Sequence, residues 1–192
     1  MSGLYIHIPY CHSKCAYCDF LSTPRVDTMS QYIDALIKEF DMRVPEIQGT
    51  FSTIYIGGGT PSILPTILLN KIITHISKYV NIRSLDEFTI EANPEDISPE
   101  WCDAIVKMGI SRVSMGIQSF NDVELKAINR RHSAQMAVDA IDILHRSGIN
   151  EISGDLIYGL PGQSIDSWME SLDKLLSFRL PHFSASLLSY EP

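Results

Sequence analysis

Six short runs rich in β-branched and aromatic residues recur along the chain, and no other feature constrains its fold as tightly. They are GLYIHIP (3–9), STIYIGG (52–58), EFTIEAN (87–93), SRVSMGI (111–117), ISGDLIYG (152–159) and HFSASLLS (182–189). Between them apolar residues return every three or four positions. One set is Ile33, Leu36, Ile37, Phe40 and Val44; a second is Leu69, Ile72, Ile73, Ile76 and Val80. Ala137, Ala140, Ile141 and Leu144 repeat the pattern, and Trp168, Leu172, Leu175 and Leu176 close it. Such spacing puts each set on one face of a helix. Ser98-Pro99-Glu100 marks one helix start, and Asn121 with Glu124 marks another at capping-box spacing. Strand then helix, repeated, means βαβ crossovers and a parallel sheet. Six strands with five intervening helices fit an open doubly wound sheet or a curved, partly closed barrel equally well. The chain stops at SYEP, directly after the sixth run, where a parallel strand still needs cover on its faces. A fragment of a longer protein is the expectation.

Composition narrows the function classes. The 192 residues, 45% hydrophobic and 20% charged, suffice for one well-cored domain. A net charge of −8 argues against nucleic acid as the main partner. No basic-then-apolar leader is read at the start, and no segment reaches the roughly 18 apolar residues of a membrane span. A cytoplasmic location is the default expectation. In that reducing setting, clustered cysteines point to ligands or redox groups before disulfides.

In parallel sheets with helical crossovers, ligands gather beyond the carboxyl ends of the strands. The chemically distinctive residues fall there. CHSKCAYCDF follows the first run and holds Cys11, Cys15 and Cys18, three of the four cysteines. Three thiolates on one short loop suit a cubane iron–sulfur cluster with one iron left open. A structural zinc site would want a fourth ligand, for which His7 and His12 are the nearby candidates. The second run ends in Gly57-Gly58-Gly59-Thr60-Pro61, which reads equally as a close approach to a ligand or as a tight strand-to-helix turn, and lacks the lysine of a phosphate-cradling loop. Glu91 sits among apolar strand neighbours, facing either solvent or a ligand's hydroxyls or amine; Gln118 and Asp155 pose the same choice. Arg130 and Arg131, in NRRHS, read equally as a solvated face or a functional pair. Cys102 falls at core spacing with Ile105 and Val106. His132 and His145 default to solvent or capping roles.

Taken in order, these motifs resemble a known family. CxxxCxxC with Tyr17 before the last cysteine, following YIHIP, is similar to the radical S-adenosylmethionine enzymes. YIHIPYC, GGGTPS, EANPE, SMGIQSF, RRH and DLIYGLPGQ together resemble their coproporphyrinogen oxidase-like branch, over essentially the whole chain. The resemblance implies a partial (βα)6 TIM-like barrel, with residues 1–192 as the core domain and the family's C-terminal domain absent. It implies a [4Fe-4S] cluster on Cys11, Cys15 and Cys18, and S-adenosyl-L-methionine bound at the open iron. An electron from the reduced cluster then cleaves the sulfonium to a 5′-deoxyadenosyl radical. Tyr5, Tyr17, Gly58, Gly59, Thr60, Glu91, Gln118, Arg130 and Asp155 occupy the family's cofactor-contact positions.

Within the branch, the oxidases resemble CxxxCxxCxC and carry a long N-terminal extension. Here Asp19 and Phe20 follow Cys18, and ten residues precede Cys11. That pattern resembles the heme-chaperone members. It implies heme as cargo, heme-receiving respiratory proteins as partners, and an electron donor such as flavodoxin or ferredoxin. The alternatives are oxidation of coproporphyrinogen III propionates to vinyls, another radical substrate, and a non-enzymatic zinc-binding module. The chaperones' HNxxYW-like motif would lie past the present end.

Overall fold

A computed structural model describes residues 2–15, 17–46 and 49–189. All six expected strands form: β1 (Ser2–Ile8), β2 (Phe51–Gly58), β3 (Glu87–Ala92), β4 (Arg112–Gln118), β5 (Glu151–Tyr158) and β6 (His182–Leu187). Their ends differ from the sequence reading by a residue or two, and Tyr190 to Pro192 of the SYEP end lie outside the described residues. Six α-helices, not five, accompany them: α1 (Met29–Arg43), α2 (Thr66–Ile76), α3 (Pro99–Lys107), α4 (Asp122–Ala127), α5 (Ala134–Arg146) and α6 (Ile165–Ser177). The extra helix arises because α4 and α5 share the β4–β5 crossover.

Both expected helix starts hold, one with a change. Ser98 accepts a hydrogen bond from the Trp101 amide, and Asn121 accepts from the Val123 and Glu124 amides. Glu124 does not reach back to close a capping box. Its carboxylate is buried and accepts from Ser119, Ser167 and Gln163 instead.

Strand order decides between the two architectures left open by composition. The sheet runs β1-β2-β3-β4-β5-β6, every pairing parallel, with no reversal. A doubly wound sheet needs a reversal to put helices on both faces. Successive right-handed crossovers in one direction put all helices on the same face. The other face then curls inward. Loops after β1 and β4 would be about 14 Å apart on a flat sheet, three strand spacings. Here Asn129 Nδ2 donates to the Lys14 carbonyl at 3.1 Å, and Arg130 Nη1 lies 3.7 Å from Cys15 Sγ. The sheet is a partial barrel, open between β1 and β6.

The strands' alternation matches that curvature. Ile6, Ile8, Ile54, Ile56, Phe88, Ile90, Val113, Met115, Ile117, Ile152 and Leu156 point outward and are buried against the helices. There they meet Ile33 of α1, Leu69, Ile72 and Ile76 of α2, Cys102 and Ile105 of α3, Ala137, Ile141 and Leu144 of α5, and Leu175 of α6. Each fully buried aliphatic side chain contributes about 1.5–3 kcal/mol, so this layer carries most of the stability. Leu176, expected on the α6 core face, is half exposed. The inward series (Tyr5, Tyr55, Thr89, Glu91, Arg112, Ser114, Ser153, Asp155, Ser184) is polar. An inner face of that kind is built to meet a ligand.

Candidate functional site

At the carboxyl ends of β1 to β5 lies a cavity of about 210 Å³. Its lining includes Cys11, Cys15, Tyr17, Cys18, Gly58, Gly59, Thr60, Glu91, Gln118, Arg130 and Asp155. The fold therefore gathers the three cysteines and every cofactor-contact position named above except Tyr5; His12 also lines the cavity and His7 does not. Tyr5 is 55% exposed, with its hydroxyl 3.0 Å from His7 Nδ1 and its ring stacked on Tyr55.

The cysteine loop is tied down at its two ends. The Cys11 amide donates to the Thr23 carbonyl at 3.2 Å and the Thr23 amide to the Pro9 carbonyl at 2.8 Å. Between these, Cys11 Sγ lies 3.4 Å from Thr60 Oγ1. Tyr17 packs on a small apolar group of Ile128, Ile157 and Leu160. Burial pushes the Tyr17 phenol well up and raises the Cys18 thiol. His7, a possible fourth zinc ligand, is occupied by Tyr5 and by the Leu21 carbonyl.

The glycine turn is shaped by close approach. Gly58 has φ +122°, and a Cβ there would stand 3.0 Å from the Ile8 carbonyl. A Cβ on Gly59 would stand 2.7 Å from the Tyr10 carbonyl and 2.9 Å from Cys11 Sγ. No larger residue lets the turn lie this close to the first cysteine. Glu91 holds the turn from below: Oε1 accepts from Tyr55 at 2.7 Å and Oε2 from the Gly58 amide at 3.0 Å. Burial raises its pKa. Asp155 accepts from Ser184 at 2.6 Å and Ser114 at 2.9 Å, fixed from both neighbouring strands.

Arg130 closes the opposite wall. Its Nη2 donates to Asn93 Oδ1 at 2.7 Å and to the Gly116 carbonyl, while buried Nε has no partner among the described residues. Burial works against its charge, but Tyr17, Cys15 and Glu95 raise its pKa above the ordinary value. Gln118 adopts φ +67°, a left-handed conformation uncommon outside glycine. Arg130 thus belongs to the pocket rather than to a solvated face. His132, assigned by default to solvent or capping, is buried. Cys102 is a core residue, as its spacing indicated. Sequence reasoning missed Asn93 and Glu95, although both sit in the EANPE stretch that carried Glu91.

The arrangement suits a metal cluster and a polar organic ligand. Among the described residues no three His, Cys, Asp or Glu side chains converge on a single-ion site. A cubane asks for something else, since its cysteines bind separate irons and stand wider apart than the ligands of one ion. Three soft thiol ligands, a glycine backbone against one of them and a buried guanidinium with its Nε unpartnered among the described residues fit a cluster with an anionic ligand beside it.

Comparison with known proteins agrees. The family model "Radical SAM superfamily" matches residues 5–175, and the chain belongs to that superfamily. Membership implies S-adenosylmethionine and a [4Fe-4S] cluster. The chain is 39% identical over 191 residues to the heme chaperone HemW of Lactococcus lactis subsp. lactis (strain IL1403), covering 99% of this chain and 50% of that protein. It is 36% identical over 198 residues to the heme chaperone HemW of Bacillus subtilis (strain 168), covering 100% and 52%. Among solved structures, coproporphyrinogen III oxidase (HemN) from Escherichia coli superposes with a TM-score of 0.90 at 29% identity, covering 99% of this chain and 44% of that one. The chain spans about half the length of the curated relatives it matches. Among the described residues no helix is long and apolar enough to cross a membrane.

Proposed function

We propose that residues 1–192 form the radical-type core domain of a heme chaperone, which binds heme and passes it to respiratory proteins in the reducing cytoplasm. The observation that carries the cluster and cofactor part of this reading is the pocket lined by Cys11, Cys15, Cys18, Gly59 and Arg130; the chaperone part rests on the likeness to heme chaperones. Cys11, Cys15 and Cys18 would hold a [4Fe-4S] cluster. When reduced by a flavodoxin- or ferredoxin-like donor, it supplies the electron that cleaves S-adenosylmethionine. Arg130, with its Nε unpartnered among the described residues, would meet the cofactor's carboxylate, and Glu91 its amino group. Asp155 and Gln118 offer oxygen acceptors for ribose hydroxyls, and Gly58, Gly59 and Thr60 provide backbone for the methionine portion. Tyr17 shields the cluster side from water; Tyr5 lies on the inner wall, outside the cavity, and would be reached only by a larger ligand.

Phe20 in place of a further cysteine favours the chaperone over an oxidase. The HemN likeness keeps a second reading: oxidative decarboxylation of coproporphyrinogen III propionates to vinyls. Anaerobic iron–sulfide reconstitution of the full-length protein and its Cys11→Ala variant tests the site. The expected result is a cluster whose electron paramagnetic resonance signal shifts with S-adenosylmethionine and is lost in the variant. No cluster in either protein would return the cysteines to zinc or structure. Hemin titration then separates the readings. Stoichiometric heme binding without carbon dioxide release from coproporphyrinogen III supports the chaperone; turnover of that substrate overturns it.

A further inference from the structure

His132 and Glu95 are buried beside the cavity and have no part in the reading above. Their side chains are 0% and 8% exposed. His132 Nε2 lies 3.0 Å from the Ile117 carbonyl oxygen. A carbonyl only accepts, so this nitrogen carries the proton. The other ring nitrogen, Nδ1, lies 3.4 Å from Glu95 Oε2, and among the described residues neither atom has a hydrogen-bond partner. The other charges near this pair among the described residues are Arg131, whose Nη1 is 3.9 Å from Glu95 Oε1, Arg130 and the neighbouring Asp96 carboxylate.

What the pair holds is more telling than the pair itself. Arg130 Nη2 donates to the Gly116 carbonyl, and His132 to the next carbonyl along, that of Ile117. The following residue is Gln118, at φ +67°, where the β4–β5 register shifts. One loop therefore grips two successive carbonyls at the end of β4, while Glu95 anchors that loop to the segment after β3. A left-handed glutamine persists only where its surroundings impose it.

We propose that His132 is a positioning residue for the S-adenosylmethionine site. Clamped between the Ile117 carbonyl and Glu95, it fixes the Arg130 guanidinium and the Gln118 backbone toward the cavity. This rests on the cofactor assignment made above. The test measures S-adenosylmethionine affinity by anaerobic calorimetry on the reconstituted full-length protein. His132→Ala is expected to weaken binding about 10- to 100-fold, the range seen when a supporting partner of a ligand-holding group is removed, with iron and sulfide content unchanged. His132→Gln, which keeps a donor for Ile117, recovers part of the loss. In an Arg130→Lys background, His132→Ala costs less than it does alone, because both act on one contact. Wild-type affinity in His132→Ala, or losses that simply multiply in the double variant, overturns the proposal. Should His132→Ala fail to fold, Glu95→Gln decides by the same measurement: weakened binding supports the clamp and unchanged binding overturns it. Absence of cofactor binding by the unsubstituted protein would instead bring down the cofactor assignment.

Discussion

The two loops that face each other across the cavity are built on opposite plans. The Cys11–Thr23 loop is tied at its ends and, inside, by Asn129 at the Lys14 carbonyl; among the described residues its thiols make few contacts, Cys11 with Thr60 and Cys15 with Arg130 and Tyr17. The Gln118–Ser133 segment is bonded along its length. Ser119 donates to Glu124, the Phe120 amide to Ser171, the Ala134 amide to Asp122, and Arg130 and His132 to β4 carbonyls. The difference separates two tasks. A loop that receives a metal cluster keeps its ligands uncommitted, and the cluster completes its structure. A wall that orients an organic cofactor has to be rigid beforehand.

The contrast breaks most visibly at Glu124. Its carboxylate accepts from Ser119 and Ser167 at 2.6 Å and from Gln163 at 3.0 Å, all inside the protein. Glu124→Ala removes the acceptor shared by three donors, of which Ser119 and Ser167 keep Ser171 Oγ and the Ser164 carbonyl within reach, and should cost about 2 kcal/mol in urea unfolding. Cys15→Ala, in cluster-free protein, should cost under ~1 kcal/mol, since that loop's interior contributes little to the apo fold. Equal losses would erase the distinction. Gly116→Ala sharpens it at a smaller scale. A Cβ there would stand 2.9 Å from Gln118 Nε2 and 3.1 Å from Arg130 Nη2, both ends of side chains that can give way. Calorimetry should find cofactor binding about tenfold weaker, equivalent to ~1.4 kcal/mol, with the unfolding midpoint nearly unchanged.

What could be read from residues alone follows from the same division. Strands, core faces and the cysteine cluster are local patterns, written in alternation, helical spacing and Cys11-Cys15-Cys18. The choice of barrel over doubly wound sheet depends on strand order, which no local pattern encodes; the family resemblance made that choice and the pairing bears it out. Arg130 read as ambiguous because its partners, Asn93, Gly116 and Cys15, come from three distant segments. His132 was misplaced for a related reason. Its burial is created by Glu95 and Ile117, and a histidine between Arg131 and Ser133 carries no local sign of either. Glu124 had the spacing of a cap but serves as a tertiary hub, because Ser167 and Gln163 arrive only when α6 packs.

Two carboxylates on the β3 side offer the finest test, because their environments push them in opposite directions. Burial dominates at Glu91 and raises its pKa above the usual 4.5, despite donors from Tyr55 and Gly58. At Glu95 burial also opposes the charge, but His132, a local amide and Arg130 outweigh it and lower the pKa below 4.5. A raised acid pKa means that ionising Glu91 costs stability: the cost is absent below its unfolded value and complete above its folded one. A lowered pKa means that ionised Glu95 adds stability, present above the unfolded value and lost as pH falls through the folded one. Relative to the unsubstituted protein, Glu91→Gln should therefore gain as pH rises from 4.5, and Glu95→Gln should fall behind over the approach to that value from below. Thermal unfolding across the acid range reads both slopes. Parallel slopes would mean that the His132 contact does not outweigh burial at Glu95, and the rigid wall would lose its electrostatic anchor.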